Sequence, residues 1–149
     1  MFLAGILSCM ILISVSDIGI EKPFFIGSST GNTAPSDWIK ENQISVFQDK
    51  IVISIENAGV SEYADTGSMK PTLDEKSNGI RIAPKNSEQI SVGDIVTFER
   101  DGNLIVHRVT EKGKDDKGDW FITKGDNNRI SDGKIRFSDI KYVTIGILW

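Results

Sequence analysis

The pattern of hydrophobic and polar positions predicts short β-strands over most of the chain. From residue 44 onwards, short runs rich in apolar and β-branched residues are separated by turn-forming residues. Helical periodicity is almost absent, so we predict a mostly β domain of short antiparallel strands. The first two predicted strands are expected to form a hairpin. The predicted strands cover residues 44–47, 50–57, 79–83, 94–100, 104–111, 120–125 and 142–149.

The segments between these runs predict turns, loops and one short helix. Residues 100–103 (RDGN) are a signal for a tight hairpin. Residues 112–119 (KGKDDKGD) are charged throughout and are expected to form a solvated loop. Ser36 is expected to cap a short helix that begins at Asp37, whose charge suits a first helical turn.

The N-terminus is the strongest shift in composition. Residues 1–15 carry no charge, and the apolar character continues to Ile20. Because a bilayer-spanning helix needs about 20 apolar residues, we predict a membrane anchor over residues 1–20, with Asp17 at the interface. A cleaved signal and a buried or interfacial helix are the alternatives, although the basic start and the Ala-x-Ala-like site of a signal peptide are missing.

The anchor is expected to connect to the β-domain through a linker. Residues 27–36 (GSSTGNTAPS) are small, polar and turn-forming. We therefore predict a linker over residues 21–36 and a β-rich domain over residues 37–149, with its core in residues 60–149.

Charge and cysteine content exclude several classes of function. The net charge is −4, and 17 basic residues are interleaved with 21 acidic ones, so no nucleic-acid partner is expected. Cys9 is the single cysteine, which rules out an intramolecular disulfide. Because His107 is the single histidine as well, no metal site is expected.

Ser68 and His107 are the residues best suited to catalysis. Ser68 follows a glycine and precedes a Met-x-Pro turn. A serine hydroxyl becomes nucleophilic only when a base takes its proton, and imidazole suits that task near neutral pH. Under strand periodicity His107 shares a face with Ile105 and Val109, where burial favours its neutral form. Taken singly, however, a Gly-Ser turn and a histidine in a strand are more typical of structural roles.

A histidine base also needs a carboxylate on its other ring nitrogen. Asp126 and Asp132 are both candidates, since both lie in turn-rich segments after a predicted strand. A lysine base is the alternative, from Lys70 or Lys124. Lys70 is expected to be solvated and therefore protonated, and a lysine base has to be desolvated to work.

Three segments in this order resemble the signal peptidase I family. They are residues 67–73 (GSMKPTL), 106–109 (VHRV) and 124–128 (KGDNN), and residues 92–96 (VGDIV) look like another family segment. The resemblance runs from about residue 63 to residue 146 and is to the archaeal and endoplasmic-reticulum branch, which uses histidine as its base.

The resemblance implies a role for each matched polar residue. Ser68 is expected to be the nucleophile and His107 the general base, with Asp132 as the third catalytic residue and Asp126 in a supporting role. It implies a signal-peptidase-like β-domain and no cofactor.

The residues around the nucleophile are expected to bind the substrate. Thr66 matches the small hydroxyl residue two positions before the nucleophile, and with the Ser68 backbone N–H it could form the oxyanion hole. Gly67 and Met69 flank Ser68 and are expected to contact the substrate.

The predicted function is therefore that of a membrane-bound serine endopeptidase that removes signal peptides from exported preproteins. Its domain would lie on the outer face of the cell membrane and bind substrate as an extended strand at a sheet edge. The expected partners are preprotein signal peptides and the membrane, with the protein-export channel as a further candidate. The alternatives are a relative dedicated to one substrate, a non-catalytic module that binds exported segments, and a self-cleaving repressor-like protease, which would need a DNA-binding domain and a lysine base.

Overall fold

The computed structural model describes residues 33–149, so the predicted anchor and most of the predicted linker lie outside the described part. The strands are β1 (Ile44–Val46), β2 (Ile51–Ile53), β3 (Gly59–Glu62), β4 (Asn78–Ile82), β5 (Ile95–Arg100), β6 (Asn103–Asp115), β7 (Gly118–Lys124), β8 (Gly133–Arg136) and β9 (Ile140–Leu148). Three 3₁₀ turns occupy Glu41–Gln43, Ser87–Gln89 and Phe137–Asp139. Over residues 33–149, no helix has the length and apolar character needed to cross a membrane.

The strands form two antiparallel sheets. β1 and β2 pair with each other, as the predicted hairpin requires. The other seven strands form one sheet in the order β3-β4-β9-β5-β6-β7-β8. The C-terminal strand β9 therefore lies between β4 and β5, and it connects β3 and β4 to β5 and to β6, the strand that contains His107. The prediction of a mostly β, antiparallel domain is confirmed.

Alternation along the central strands builds the main core on one face of the large sheet. Val96 and Phe98 of β5, Val109 of β6 and Val143 of β9 are fully buried in it. Ile95 points to the opposite face, where it packs in a second cluster with Met69 and Leu73. This second cluster anchors the segment after Ser68 to the sheet.

The turn between β5 and β6 is the predicted tight hairpin. Asp101 and Gly102 both have positive φ, 52° and 75°, as a two-residue type I′ turn requires. The turn fixes the register so that Val96 pairs with His107. The position of the single histidine in the sheet is therefore set by this turn.

Residues 112–119 do not form the predicted solvated loop. β6 continues to Asp115 and β7 begins at Gly118, so most of the charged segment lies in a hairpin ladder. Gly113 faces Trp120 in this ladder, and a Cβ at Gly113 would lie 2.3 Å from the indole. Asp115 accepts two hydrogen bonds of 2.9 Å from Arg136. Packing and ion pairing thus order a segment whose charge pattern indicated a loop.

The helix predicted to begin at Asp37 is also wrong, since the first helical turn in the described residues is Glu41–Gln43. The backbone before it is tied to the sheet instead. The Ser36 N–H donates to the buried Asp94 carboxylate at 2.7 Å, so Ser36 does not act as a helix cap. The Lys40 ammonium donates to the Asp37 carbonyl at 2.7 Å.

Candidate active site

Ser68 lies in the turn that connects β3 to β4. Gly67 has φ +68°, a left-handed conformation that glycine adopts without strain. Met69 is 5% exposed and packs into the second cluster. Asn127 braces the other side of the turn, because its N–H donates to the Ser68 carbonyl at 2.9 Å and its side chain donates to the Gly67 carbonyl at 3.1 Å. The turn is therefore held from both sides.

His107 lies in β6 with its ring between the nucleophile turn and the core. Its Nε2 is 3.2 Å from Ser68 Oγ, which is hydrogen-bond distance. The side chain is almost fully buried, and the Phe98 ring lies beside it with centroids 6.4 Å apart. The histidine is thus packed against the core on one side and faces the serine hydroxyl on the other.

Asp132 is the carboxylate hydrogen-bonded to His107. Its Oδ2 lies 2.7 Å from His107 Nδ1 and accepts a second hydrogen bond of 2.8 Å from the Thr123 hydroxyl. The Asp132 backbone is held as well. Its N–H donates to the Thr123 carbonyl, and the Asp132 carbonyl accepts a hydrogen bond from the Arg100 guanidinium. This carboxylate favours the tautomer with a proton on Nδ1, which leaves Nε2 free to accept the proton of Ser68.

Asp126 makes a different set of contacts. Arg108 donates to both of its carboxylate oxygens, at 2.8 and 2.7 Å, and the Thr72 hydroxyl donates at 2.5 Å. Burial opposes ionisation of Asp126, but the hydrogen bonds from Arg108 and Thr72 outweigh it, so the pKa of Asp126 lies below the ordinary aspartate value. Asp126 thus links β6, the strand that contains His107, to the segment that follows Ser68.

Thr66 lies beside the nucleophile. Its hydroxyl is 3.1 Å from Ser68 Oγ, and the Ser68 N–H points at it over a long 3.4 Å. Both groups expected to bind an oxyanion are therefore adjacent. Their present contact is weak enough for a carbonyl oxygen to replace it.

Both candidate lysine bases are engaged by other groups. Lys124 donates to the Asn128 carbonyl at 2.9 Å and to the Gly125 carbonyl at 3.3 Å. Lys70 is 47% exposed and ion-paired with two carboxylates. Both ammonium groups thus contact other partners, whereas His107 is at hydrogen-bond distance from Ser68 Oγ.

Thr123, Arg108 and Asn127 belong to the site, but the sequence reasoning did not identify them. Arg108 carried a signal, because an arginine that follows the base in an apolar strand would be buried and would need a carboxylate. Thr123 gave none, since its contact with Asp132 depends on how β7 and the following loop are arranged.

A groove of about 630 Å³ lies in front of the Ser68 and His107 side chains. Residues 60–62 of β3 form one wall and residues 104–107 of β6 form another. β3 is an outer strand of the sheet, and β6 pairs with β7 only from Arg108 onwards. Backbone groups on both walls are therefore placed to pair with an extended chain.

Comparison with known proteins shows similarity to the catalytic subunits of signal peptidase complexes, and the resemblance to the signal peptidase I family in its endoplasmic-reticulum branch is confirmed. SEC11 of Candida dubliniensis is 38% identical over 69 residues, which are 45% of this chain and 40% of that protein. SEC11 of Yarrowia lipolytica is 28% identical over 90 residues, 56% of this chain and 51% of that protein. Human SEC11C is 37% identical over 70 residues, 45% of this chain and 36% of that protein.

The match thus spans about half or less of the length of these relatives. No family model matches the chain. No solved structure gives a significant match either.

Proposed function

We propose that this chain is a serine endopeptidase of the signal peptidase type, which removes signal peptides from exported preproteins. The observation that carries the proposal is the hydrogen-bonded series from Ser68 Oγ through His107 to Asp132, with distances of 3.2 and 2.7 Å. The similarity to SEC11 catalytic subunits supports the same class of activity.

In the first half of the reaction, Ser68 Oγ attacks the scissile carbonyl while His107 Nε2 takes its proton. Asp132 stabilises the imidazolium that forms, and the Thr123 hydroxyl keeps the carboxylate in place. The Thr66 hydroxyl and the Ser68 N–H bind the oxyanion, each donor contributing about 3 kcal/mol to transition-state stabilisation. His107 then gives the proton to the leaving amine.

In the second half, His107 Nε2 takes a proton from water as the water attacks the acyl-enzyme. The bond to Ser68 Oγ then breaks, His107 returns the proton to Oγ, and the signal peptide leaves with a free carboxylate. Asp126 touches none of the reacting atoms in this scheme. Its contacts with Arg108 and Thr72 instead hold the strand of the base against the nucleophile segment.

The substrate lies in the groove as an extended strand between β3 and the first half of β6. Tyr63 and Val106 pack against the cluster of Met69 and Leu73 near Ser68, which leaves shallow apolar space for small side chains. Anchorage by residues 1–20, with the domain on the outer face of the membrane, fits a substrate whose apolar segment is in the bilayer.

The test is cleavage of a preprotein with Ala-x-Ala before its mature start by the full chain in detergent. Wild type is expected to cut after this motif, and Ser68→Ala and His107→Ala are expected to lose at least about 10³-fold in rate. Ser138→Ala, at an exposed serine outside the groove, is the matched control. Cleavage by Ser68→Ala at the wild-type rate, or no cleavage by folded wild type, would show that the proposal is wrong.

A further inference from the structure

Arg81 places a positive charge on the groove that contains Ser68 and His107. It lies in β4, on the sheet face that looks into the groove. Its guanidinium carbon is 3.9 Å from the centroid of the Tyr142 ring. Stacking of this kind fixes the plane of the guanidinium and leaves its N–H groups, which lie at the edges, able to donate.

Arg81 differs from the other arginines that are not fully exposed. Arg100 donates to a backbone carbonyl at 2.5 Å, Arg108 to a buried carboxylate at 2.7 Å and Arg136 to a carboxylate at 2.9 Å. Within residues 33–149, Arg81 donates to no such acceptor and forms no ion pair. A partly buried guanidinium without an acceptor is unfavourable, so an acceptor supplied by a ligand would be bound well.

Two carboxylates line the same groove, but neither pairs with Arg81 in the described structure. Asp74 accepts hydrogen bonds of 3.0 Å from the Lys76 N–H and the Ser77 hydroxyl, and the first of these is the largest cause of its lowered pKa. Glu62 is exposed on β3. Arg81 pairs with Gly59 of that strand, and because side chains alternate along a strand, Glu62 lies on the opposite face from Gly59. The Arg81 guanidinium is therefore available to bind an anion, whereas the carboxylates of Asp74 and Glu62 disfavour anions elsewhere in the groove.

We infer that Arg81 forms a carboxylate-binding subsite, and that the groove selects substrate segments with an aspartate or glutamate side chain near the scissile bond. The inference rests on the proposed function and narrows its substrate class. Ser61 and Thr97 line the same groove, and their hydroxyls are further donors available to a bound carboxylate. A preference for an acidic side chain would make this chain more selective than a general signal peptidase, for which small side chains in the cleavage region suffice.

The test uses the full chain in detergent and peptides that are identical except for one residue. Glutamate, glutamine or lysine is placed in turn at each position flanking an Ala-x-Ala cleavage site. At one position, kcat/KM for the glutamate peptide is expected to exceed that for the glutamine peptide by about tenfold, with lysine below both. Arg81→Gln is expected to abolish this preference and Arg81→Glu to reverse it. Lys85→Gln, which removes an exposed charge just after β4, is the control that retains it.

The inference is overturned if wild type cleaves all three peptides equally at every position, or if Arg81→Gln keeps the wild-type preference. A uniform loss for all peptides in Arg81→Gln also overturns it, because that result indicates a contact with the substrate backbone. If wild type cleaves none of the peptides, the proposed function is wrong, and binding of the same peptides to Ser68→Ala, followed by fluorescence anisotropy, then decides the subsite. Thermal melting identifies any variant that fails to fold, and Arg81→Lys then replaces it, with a reduced preference for glutamate expected.

Discussion

Replacing Asp126 and Asp132 in turn is the sharpest test of how the site is arranged. Asp132→Asn is expected to lower activity, and Asp126→Asn is expected to lower stability. Asp132→Asn removes the negative charge that stabilises the His107 imidazolium and weakens the preference for the productive tautomer. From the effect of the same change in known serine proteases, the expected loss in kcat is about 10²–10⁴-fold. The carboxylate is 15% exposed, so the same change is expected to affect folding only modestly.

Asp126→Asn is expected to act on stability instead. The Asp126 and Arg108 side chains are 4% and 8% exposed, and the substitution leaves a buried guanidinium without its counter-charge. Breaking a buried pair in this way costs about 3–5 kcal/mol. In a domain of this size that free energy corresponds to a fall in Tm of roughly 10–15 °C.

The assay measures Tm and the rate of preprotein cleavage for both variants, the rate well below either Tm. Arg108→Met is then combined with Asp126→Leu, since replacing both partners by apolar residues removes the unpaired charge. The double variant is expected to be more stable than the sum of the two single changes allows. If Asp126→Asn loses activity as Asp132→Asn does while its Tm is unchanged, the assignment of the two carboxylates is reversed.

Three further outcomes are expected. Gly125→Ala puts a Cβ 2.6 Å from the Ser68 carbonyl oxygen, so both Tm and activity should fall. Gly133→Ala is the control, because a Cβ there has no atom within 4 Å. It should lower the free energy of unfolding by only about 1–2 kcal/mol, since Gly133 has a left-handed backbone. Thr123→Val removes the buried hydroxyl that donates to Asp132 and should lower kcat by roughly tenfold with little change in KM; an unchanged kcat would show that this hydroxyl does not position the carboxylate. Because the pKa of Asp126 is lowered by folding, the unfolded state takes up the proton first as pH falls. Its contribution to stability is therefore present above the ordinary aspartate pKa of about 3.9 and is lost below it, and a plot of Tm against pH should be flatter in this range for Asp126→Asn.

The sequence predicted those parts of the fold in which hydrophobic alternation is strong. The runs at β5, β6 and β9 are long and rich in β-branched residues, and all three are strands. β3 and β8 were missed because GVSE and GKIR are short and contain few apolar residues. These strands form because each pairs with a neighbouring strand, β3 with β4 and β8 with β7. Their own residues do not encode this pairing.

The site was predictable to the extent that it depends on turns close in sequence. The Gly67 turn exposes Ser68, and the hairpin at Asp101 and Gly102 places His107 in β6. The contact between Thr123 and Asp132 was not predictable, because it depends on how the loop after β7 returns to pair β8 with β7, where Thr123 lies opposite Gly133. A period-two pattern gives the face of each side chain but not the residue that it meets on the next strand.

His107 lies where β6 changes partners, and in the proposed function this position links substrate binding to catalysis. β6 pairs with β5 over residues 103–108 and with β7 from Arg108 onwards. Within residues 33–149, no strand pairs with the groove-side edge of residues 104–107, and Asp132 approaches His107 from the connection between β7 and β8. If the pairing of β7 with β6 extended beyond Arg108 towards residue 104, β7 would cover the edge that the proposed substrate uses. A substrate strand that fills this edge would instead end beside Ser68, with its scissile carbonyl next to the nucleophile.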